Sequence, residues 1–369
     1  MPTSLLKILQ KEIQEHGPMR FDHFMEKALY HPTLGFYSSG QTRTGSKGDF
    51  LTPVSTGPVL GQLLALQLDE LYATLRSPPS LFLCEQGADR GFLSRDLLDS
   101  IHKSHPKLSS VVQLHIIEPC PNLVEQQKSH LAKLQNNIPI HWHPDLSCFK
   151  PNSTPVFFYS SELIDSFPVR VARFSSGQWM ERFVTEKEGR LDWFDCSMEK
   201  DLLSQMDTWK IPRSEGFTAE IRPNAATWIR TLSKQIQQGM LLTLDYGMSA
   251  PELYDPSRAS GTLMSISRHT PSLDPLKNPG QQDLTAHVNF TELIEEGKKS
   301  GLTTLGLSDF SGALIRLATP LLQDNQPMPE KWIRNFNHLT HPAFFGKSHR
   351  ILIQGKDLPA GFRPSIAPL

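Results

Sequence analysis

The residues best placed to do chemistry are acids at strand ends and the glycines between them. The run Leu81-Phe82-Leu83-Cys84-Glu85-Gln86-Gly87-Ala88-Asp89-Arg90-Gly91 is followed further on by Ile116-Ile117-Glu118. An apolar strand that enters a glycine turn and a helix, then a second strand that ends in an acid, builds a nucleoside pocket at the carboxyl edge of an open α/β sheet. Glu85 closes the first strand, Gly87 and Gly91 shape the turn, and the segment from Phe92 to Ser100 reads as the following helix. Glu118 then stands at the edge of the neighbouring strand, where a carboxylate can accept hydrogen bonds from two ribose hydroxyls.

The turn lacks the dinucleotide fingerprint G-x-G-x-x-G. Asp89 also adds negative charge where a pyrophosphate needs bare backbone N–H groups, which disfavours NAD. S-adenosylmethionine has an adenosine but no phosphate, and its ammonium and sulfonium are cationic, so an acid-flanked pocket suits it better.

These residues need a sheet to position them, and 369 residues suffice for one elaborated domain or two. The formal net charge of -1, from 37 basic and 38 acidic residues, gives no global pull toward nucleic acid or an anionic membrane. No apolar run is long enough to span a bilayer, and a secretory signal pattern is not seen. Cys84, Cys120, Cys148 and Cys196 lie far apart without C-x-x-C spacing, which predicts reduced thiols in a cytoplasmic protein. His141 and His143 flank Trp142, with Asp145 following, but no third ligand is identifiable from spacing, so no metal site is expected.

Helical spacing of Leu5, Leu6, Ile8, Leu9 and Ile13 predicts a first helix that Gly17-Pro18 ends, and a second should run from Arg20 to Leu29. The Gly-, Ser- and Thr-rich stretch from Ser38 to Phe50 reads as a loop able to approach a ligand closely. A helix over roughly 58–75 leads into strands at 81–85, 111–117 and 155–160, and Pro121 fits the first turn of a helix. Short alternating runs from Val171 to Phe194, with Gly177 and Gly189 as turns, suggest an inserted antiparallel element. A helix near 224–238 precedes the buried strand Met240–Asp245, and 251–289 reads as a long functional covering loop. Helical stretches follow Phe310 and span roughly 330–337, and His349–Ile353 reads as a last strand before a proline-rich tail that needs no order. The expected division is 1–78, a core at 79–170, an insert at 171–223, the remaining core at 224–357 and a flexible 358–369.

The chain resembles the MidA-like family of S-adenosylmethionine-dependent methyltransferases, a bacterial and mitochondrial group that includes a respiratory complex I assembly arginine methyltransferase. The matching segments include Gly35-Phe36-Tyr37, Gly48-Asp49-Phe50-Leu51-Thr52, Glu85-Gln86-Gly87 with Gly91, Glu118-Pro119 with Gln127, and Ser161-Glu162-Leu163-Ile164-Asp165. Asp245-Tyr246-Gly247, Arg258, His269 and the string from Gly280 to Phe290 continue the match, and that last string is its most specific part. The resemblance implies an α/β class I methyltransferase fold, Rossmann-like, with a mostly parallel seven-stranded sheet, an N-terminal helical extension and an inserted substrate-side lid.

It also implies S-adenosyl-L-methionine as cofactor, with Glu85, Gly87 and Gly91 in its turn, Glu118 on its ribose, and Gly48 and Asp49 in a loop closing over it; Asp89, a departure from the family pattern in that turn, could press on the methionine part of the cofactor or hold its ammonium group. Glu162 and Asp165 become candidates to orient an acceptor, with Asp245 and Asp283 next to them in rank and His287 as a substrate contact or proton carrier. The implied partner is a protein substrate modified on arginine, with a respiratory complex subunit as one candidate, and homo-oligomerisation stays open. Where the family has Glu-Leu-Gly-Pro-Gly-Arg-Gly this chain has Gln86, Ala88 and Asp89, and Ser161 replaces a common Asn. A scaffold protein with a degenerate cofactor site and a small-molecule methyltransferase therefore stay open as alternatives.

Overall fold

The computed structural model describes residues 4–38, 51–267, 270–272, 274–323 and 327–368. They divide into two compact units. The larger comprises Leu51–Leu163, Trp228–Tyr246 and Leu293–Leu369. Its sheet is made from β1 (Leu81–Gln86), β2 (Val112–Ile117), β3 (Ile140–His143), β4 (Val156–Ser161), β5 (Gly239–Met248), β6 (Thr303–Asp309) and β7 (His349–Lys356). The order is β3-β2-β1-β4-β5-β7-β6. The first five strands are parallel, and β7 runs antiparallel to both β5 and β6.

The apolar runs of β1, β4 and β5 have this placement because central parallel strands are covered on both faces, so alternation is lost and nearly every side chain is buried. Strand order reverses between β1 and β4, which opens a crevice beyond their carboxyl ends. The sheet packs against α1 (Val59–Thr74), α2 (Phe92–Ser104), α3 (Pro121–Gln135), α4 (Phe310–Gln323) and α5 (Glu330–Thr340) in one core that includes Leu63, Leu97, Tyr159, Leu242 and Ile353. Gly61 lets α1 and α2 approach closely: a β-carbon there would stand 2.7 Å from the Leu97 backbone nitrogen. Pro121 opens α3 at its first turn, as its missing N–H permits.

The tail departs from expectation. Ile366 is fully buried, its N–H donates to Gln67 Oε1 at 3.0 Å, and its carbonyl accepts from Arg316 Nη2 at 2.9 Å. The apolar pair Ile366-Ala367 anchors it, a signal too short to show as periodicity among prolines.

The second unit comprises Met1–Phe50, Ile164–Thr227 and Gly247–Glu292 within the described residues. The amphipathic helices Leu5–His16 and Phe21–Tyr30 bury Leu9, Ile13, Phe24 and Met25 in its core, together with Val169, Val171 and Val184. Its antiparallel sheet runs Met19–Arg20, Gln178–Lys187, Arg170–Ser175, Thr218–Ile221, with Arg190–Ser197 also paired to Gln178–Lys187. Both hairpins turn on residue pairs with positive φ, Ser176-Gly177 and Glu188-Gly189, the geometry that matches strand twist in a two-residue loop.

The stretch 251–289 is not the covering loop expected. It holds a helical turn at Pro256–Arg258 and a three-stranded sheet in the order Thr270–Ser272, Met264–Ser267, Asp283–Thr285. Val288–Asn289 pairs in parallel with Gly247–Met248. Strands of two to four residues are too short to impose a readable period on a sequence dense in Pro, Gly and Ser.

Candidate active site

The nucleoside side of the site begins where β1 enters its turn. Gly87, Asp89 and Gly91 have φ of 77°, 46° and 79°, a left-handed path that costs an L-residue roughly 1–2 kcal/mol. At Gly87 a β-carbon would also lie 3.0 Å from Leu163 Cδ1. Asp89 adopts the same path as one of the few non-glycine types that tolerate it. Its carboxylate is 40% exposed and lies 3.7 Å from Arg90 Nε, so the added charge has a cation beside it.

Glu85 is turned inward. Its Oε2 accepts from the Ser94 hydroxyl on α2 and from the Tyr159 hydroxyl on β4 at 3.2 Å. Burial pushes its carboxyl up to about 7 against the lowering effect of those bonds. Glu85 thus joins β1, β4 and the start of α2.

Glu118 follows β2 and is held at both oxygens. Oε1 accepts from the Cys120 N–H at 2.9 Å and Oε2 from Gln127 Nε2 at 3.1 Å. The Gln127 amide also donates to the Asp89 carbonyl at 2.7 Å, and its oxygen accepts from Trp142 Nε1 at 3.0 Å. Burial raises the Glu118 carboxyl to about 7, opposed by the Cys120 and Gln127 bonds. One glutamine therefore couples the glycine turn to the acid. An oriented carboxylate one strand away from a glycine-lined turn fits the ribose of a nucleoside cofactor such as S-adenosylmethionine.

A second cluster lies at the ends of β4, β5 and β7. Glu162, the residue after β4, has φ of 50°, and its N–H donates to the Leu244 carbonyl on β5 at 2.8 Å. Its Oε1 lies 2.8 Å from Nε2 of His349, the first residue of β7. Asp245, wholly buried next to Leu244, accepts the Tyr246 N–H at 2.9 Å. Glu162 and Asp245 thus come together at one sheet edge. His349 is a residue that sequence reasoning missed, because antiparallel register between strands distant in sequence brings it there.

Asp165, Asp283 and His287 belong to the other unit. Thr285 Oγ1 donates to Asp165 Oδ2 and the Tyr37 hydroxyl to Asp283 Oδ1, both at 2.9 Å. The Arg222 guanidinium donates to the carbonyls of Asp165, Phe167, Ala286 and His287 at 2.7–3.2 Å. The His287 N–H donates to Thr262 Oγ1 at 3.0 Å. Arg222, also missed, explains the specific string at 280–290: its backbone is clamped against residues 165–167. Gly48, Asp49 and His269 lie outside the described residues.

His141 and His143 both stack on His115, with ring centroids 4.9 and 5.2 Å away. His115 Nδ1 also lies 2.9 Å from His143 Nε2, and among the described residues no group of three or more His, Cys, Asp or Glu could hold a metal ion. No described helix is long and apolar enough to cross a membrane.

The sheet order, the crevice and the glycine turn with its acid one strand away define a class I methyltransferase. Residues 63–308 match the family described as "Putative S-adenosyl-L-methionine-dependent methyltransferase". The chain belongs to that family, in its MidA-like group, and S-adenosylmethionine is the cofactor of this enzyme class. The mitochondrial protein arginine methyltransferase NDUFAF7 homolog of Caenorhabditis elegans is 24% identical, over 97% of this chain and 90% of its own length. The mitochondrial protein arginine methyltransferase NDUFAF7 of Homo sapiens is 26% identical, over 94% of this chain and 82% of its own length. A Burkholderia thailandensis protein bound to S-adenosyl-homocysteine has the same fold, with a TM-score of 0.88 at 24% identity over 98% of this chain and 94% of that one. These relatives correct one expectation. The cytoplasmic placement drawn from scattered cysteines is withdrawn, because the curated relatives are mitochondrial proteins and thiol spacing does not separate one reducing compartment from another.

Proposed function

We propose that this chain transfers a methyl group from S-adenosylmethionine to a protein side chain, with arginine as the acceptor. The observation that carries the reading is Glu162, a carboxylate fixed at the carboxyl edge of the sheet with Asp245 on the next strand. The names of the relatives above support the same acceptor. When bound, the cofactor supplies an electrophilic methyl on a sulfonium.

An arginine acceptor is protonated in water, with a reference pKa above ~12, and its lone pairs are delocalised. Carboxylates orient the planar guanidinium through charge-assisted hydrogen bonds and stabilise the cationic product. Glu162 performs that orientation, with Asp245 lending negative charge beside it. Asp165 and His287 carry no step in this reading; Arg222 holds their backbone.

The test incubates the protein with methyl-labelled S-adenosylmethionine and undermethylated cell-extract proteins, then hydrolyses the products. Label recovered as methylarginine is expected, and Glu162→Gln should reduce it about 100-fold while leaving S-adenosylhomocysteine affinity within about threefold. Label recovered only in small molecules, or in another amino acid, would overturn the reading.

A further inference from the structure

We propose that His349 is a positioning residue of the methyl-transfer site, acting through Glu162; the proposal rests on the reading given above for Glu162. His349 Nε2 lies 2.8 Å from Glu162 Oε1, and both side chains are largely buried, with 8% and 14% of their surface exposed. With Glu162 in its ionised form the carboxylate only accepts, and the contact then takes the tautomer in which Nε2–H donates. The opposite nitrogen, Nδ1, lies 2.9 Å from the Ser348 hydroxyl, which in turn donates to the Phe344 carbonyl at 3.0 Å. Three aromatic rings surround the imidazole: Phe345 at 5.2 Å, Tyr246 at 5.6 Å and Phe310 at 5.8 Å between centroids. The ring is therefore fixed by packing and at both nitrogens.

Stability alone is a weak reason for this arrangement. A buried polar pair loses much of its gain to desolvation, and an apolar pair of similar volume would serve the core as well. What the pair does supply is a fixed direction for the Glu162 carboxylate. The backbone at Glu162 is already constrained by its left-handed φ of 50° and by the bond from its N–H to Leu244. His349 constrains the rest of the side chain, which is how a hydrogen-bonding support holds a reacting shell within the tolerance that chemistry demands.

Two variants separate the two ends of the imidazole. His349→Gln places an amide where Nε2 was and keeps a donor for Glu162; His349→Asn places it where Nδ1 was and keeps only the Ser348 side. With methyl-labelled S-adenosylmethionine and the extract acceptors, H349N should lose turnover about 30- to 100-fold and H349Q should stay within about fivefold of the unchanged protein. Both should bind S-adenosylhomocysteine within about threefold of it, and H349N combined with E162Q should be no slower than E162Q alone. Equal turnover in H349N, H349Q and the unchanged protein would overturn the proposal, as would full additivity of H349N and E162Q. If H349N does not fold, H349Q decides: a loss as large as that of E162Q overturns the proposal. Failure of the unchanged protein to transfer methyl to any protein would instead remove the functional reading on which the proposal rests.

Discussion

We propose Glu118 as the side chain that takes the cofactor ribose. Its two oxygens are oriented by Cys120 and Gln127, and burial holds its carboxyl at about 7. Ribose hydroxyls are donors and favour the ionised form, so in that role Glu118 should release a proton when the cofactor binds at neutral pH. S-adenosylhomocysteine affinity should therefore weaken as pH falls below about 7, as calorimetry at pH 8 and pH 5.5 would read. Glu118→Gln should remove that dependence and cost about 1.5–3 kcal/mol at pH 8, the range for a hydrogen bond to a charged group. A flat profile in the unchanged protein would assign the ribose to another residue. The positions of Gly87, Gly91 and Glu118 in the fold were legible because a strand, its turn and the next strand's end recur at a readable spacing. Gln127 showed only as a matching residue, and its bonds to both Glu118 and Asp89 depend on the docking of α3, which no spacing reveals. His349 was illegible as a functional residue because it is 187 positions from Glu162.

Among the elements, the five strands at 81–86, 112–117, 156–161, 239–248 and 349–356 and the helices around them were read close to their limits, since buried apolar runs and amphipathic periods are local signals; the two end strands, Ile140–His143 and Thr303–Asp309, were not expected, because their half-exposed runs lack that signal. The segments that carry Asp165 and His287 were not read either, because contacts between residues distant in sequence hold them, the Arg222 guanidinium and the Ala286 N–H on the Asp165 carbonyl among them. Arg222 donates to four carbonyls at 165–167 and 286–287. Arg222→Met should remove these four charge-assisted hydrogen bonds and destabilise the protein by about 3 kcal/mol in urea unfolding, and Arg222→Lys should recover only part of that, because one ammonium lacks the planar fork. An effect under about 0.5 kcal/mol for Arg222→Met would show that the clamp is dispensable.

For the molecule as a whole, three buried groups set opposing pH slopes. His115 lies against His141 and His143, and burial first, then those neighbours, lowers its pKa to about 3. Below the ordinary histidine pKa of about 6.5 the unfolded chain takes up a proton that the folded one refuses, so this contribution to stability is lost as pH falls. At pH 5 the loss is roughly 2 kcal/mol relative to pH 8, and His115→Phe should remove most of it in thermal or urea unfolding. Glu85 and Glu118, both raised to about 7, act in the other direction: their contribution is complete below about 4.5 and is lost as pH rises through 7. An acid slope unchanged by His115→Phe would place the sensitivity elsewhere.

The most direct test of the account is S-adenosylhomocysteine binding to the unchanged protein by calorimetry, with Asp89→Gly alongside. The left-handed backbone that Asp89 already tolerates, and the Arg90 beside its carboxylate, predict one-site micromolar binding that the glycine alters by no more than about threefold. Absence of binding by the unchanged protein, restored by Asp89→Gly, would contradict it and identify a turn that has given up the cofactor.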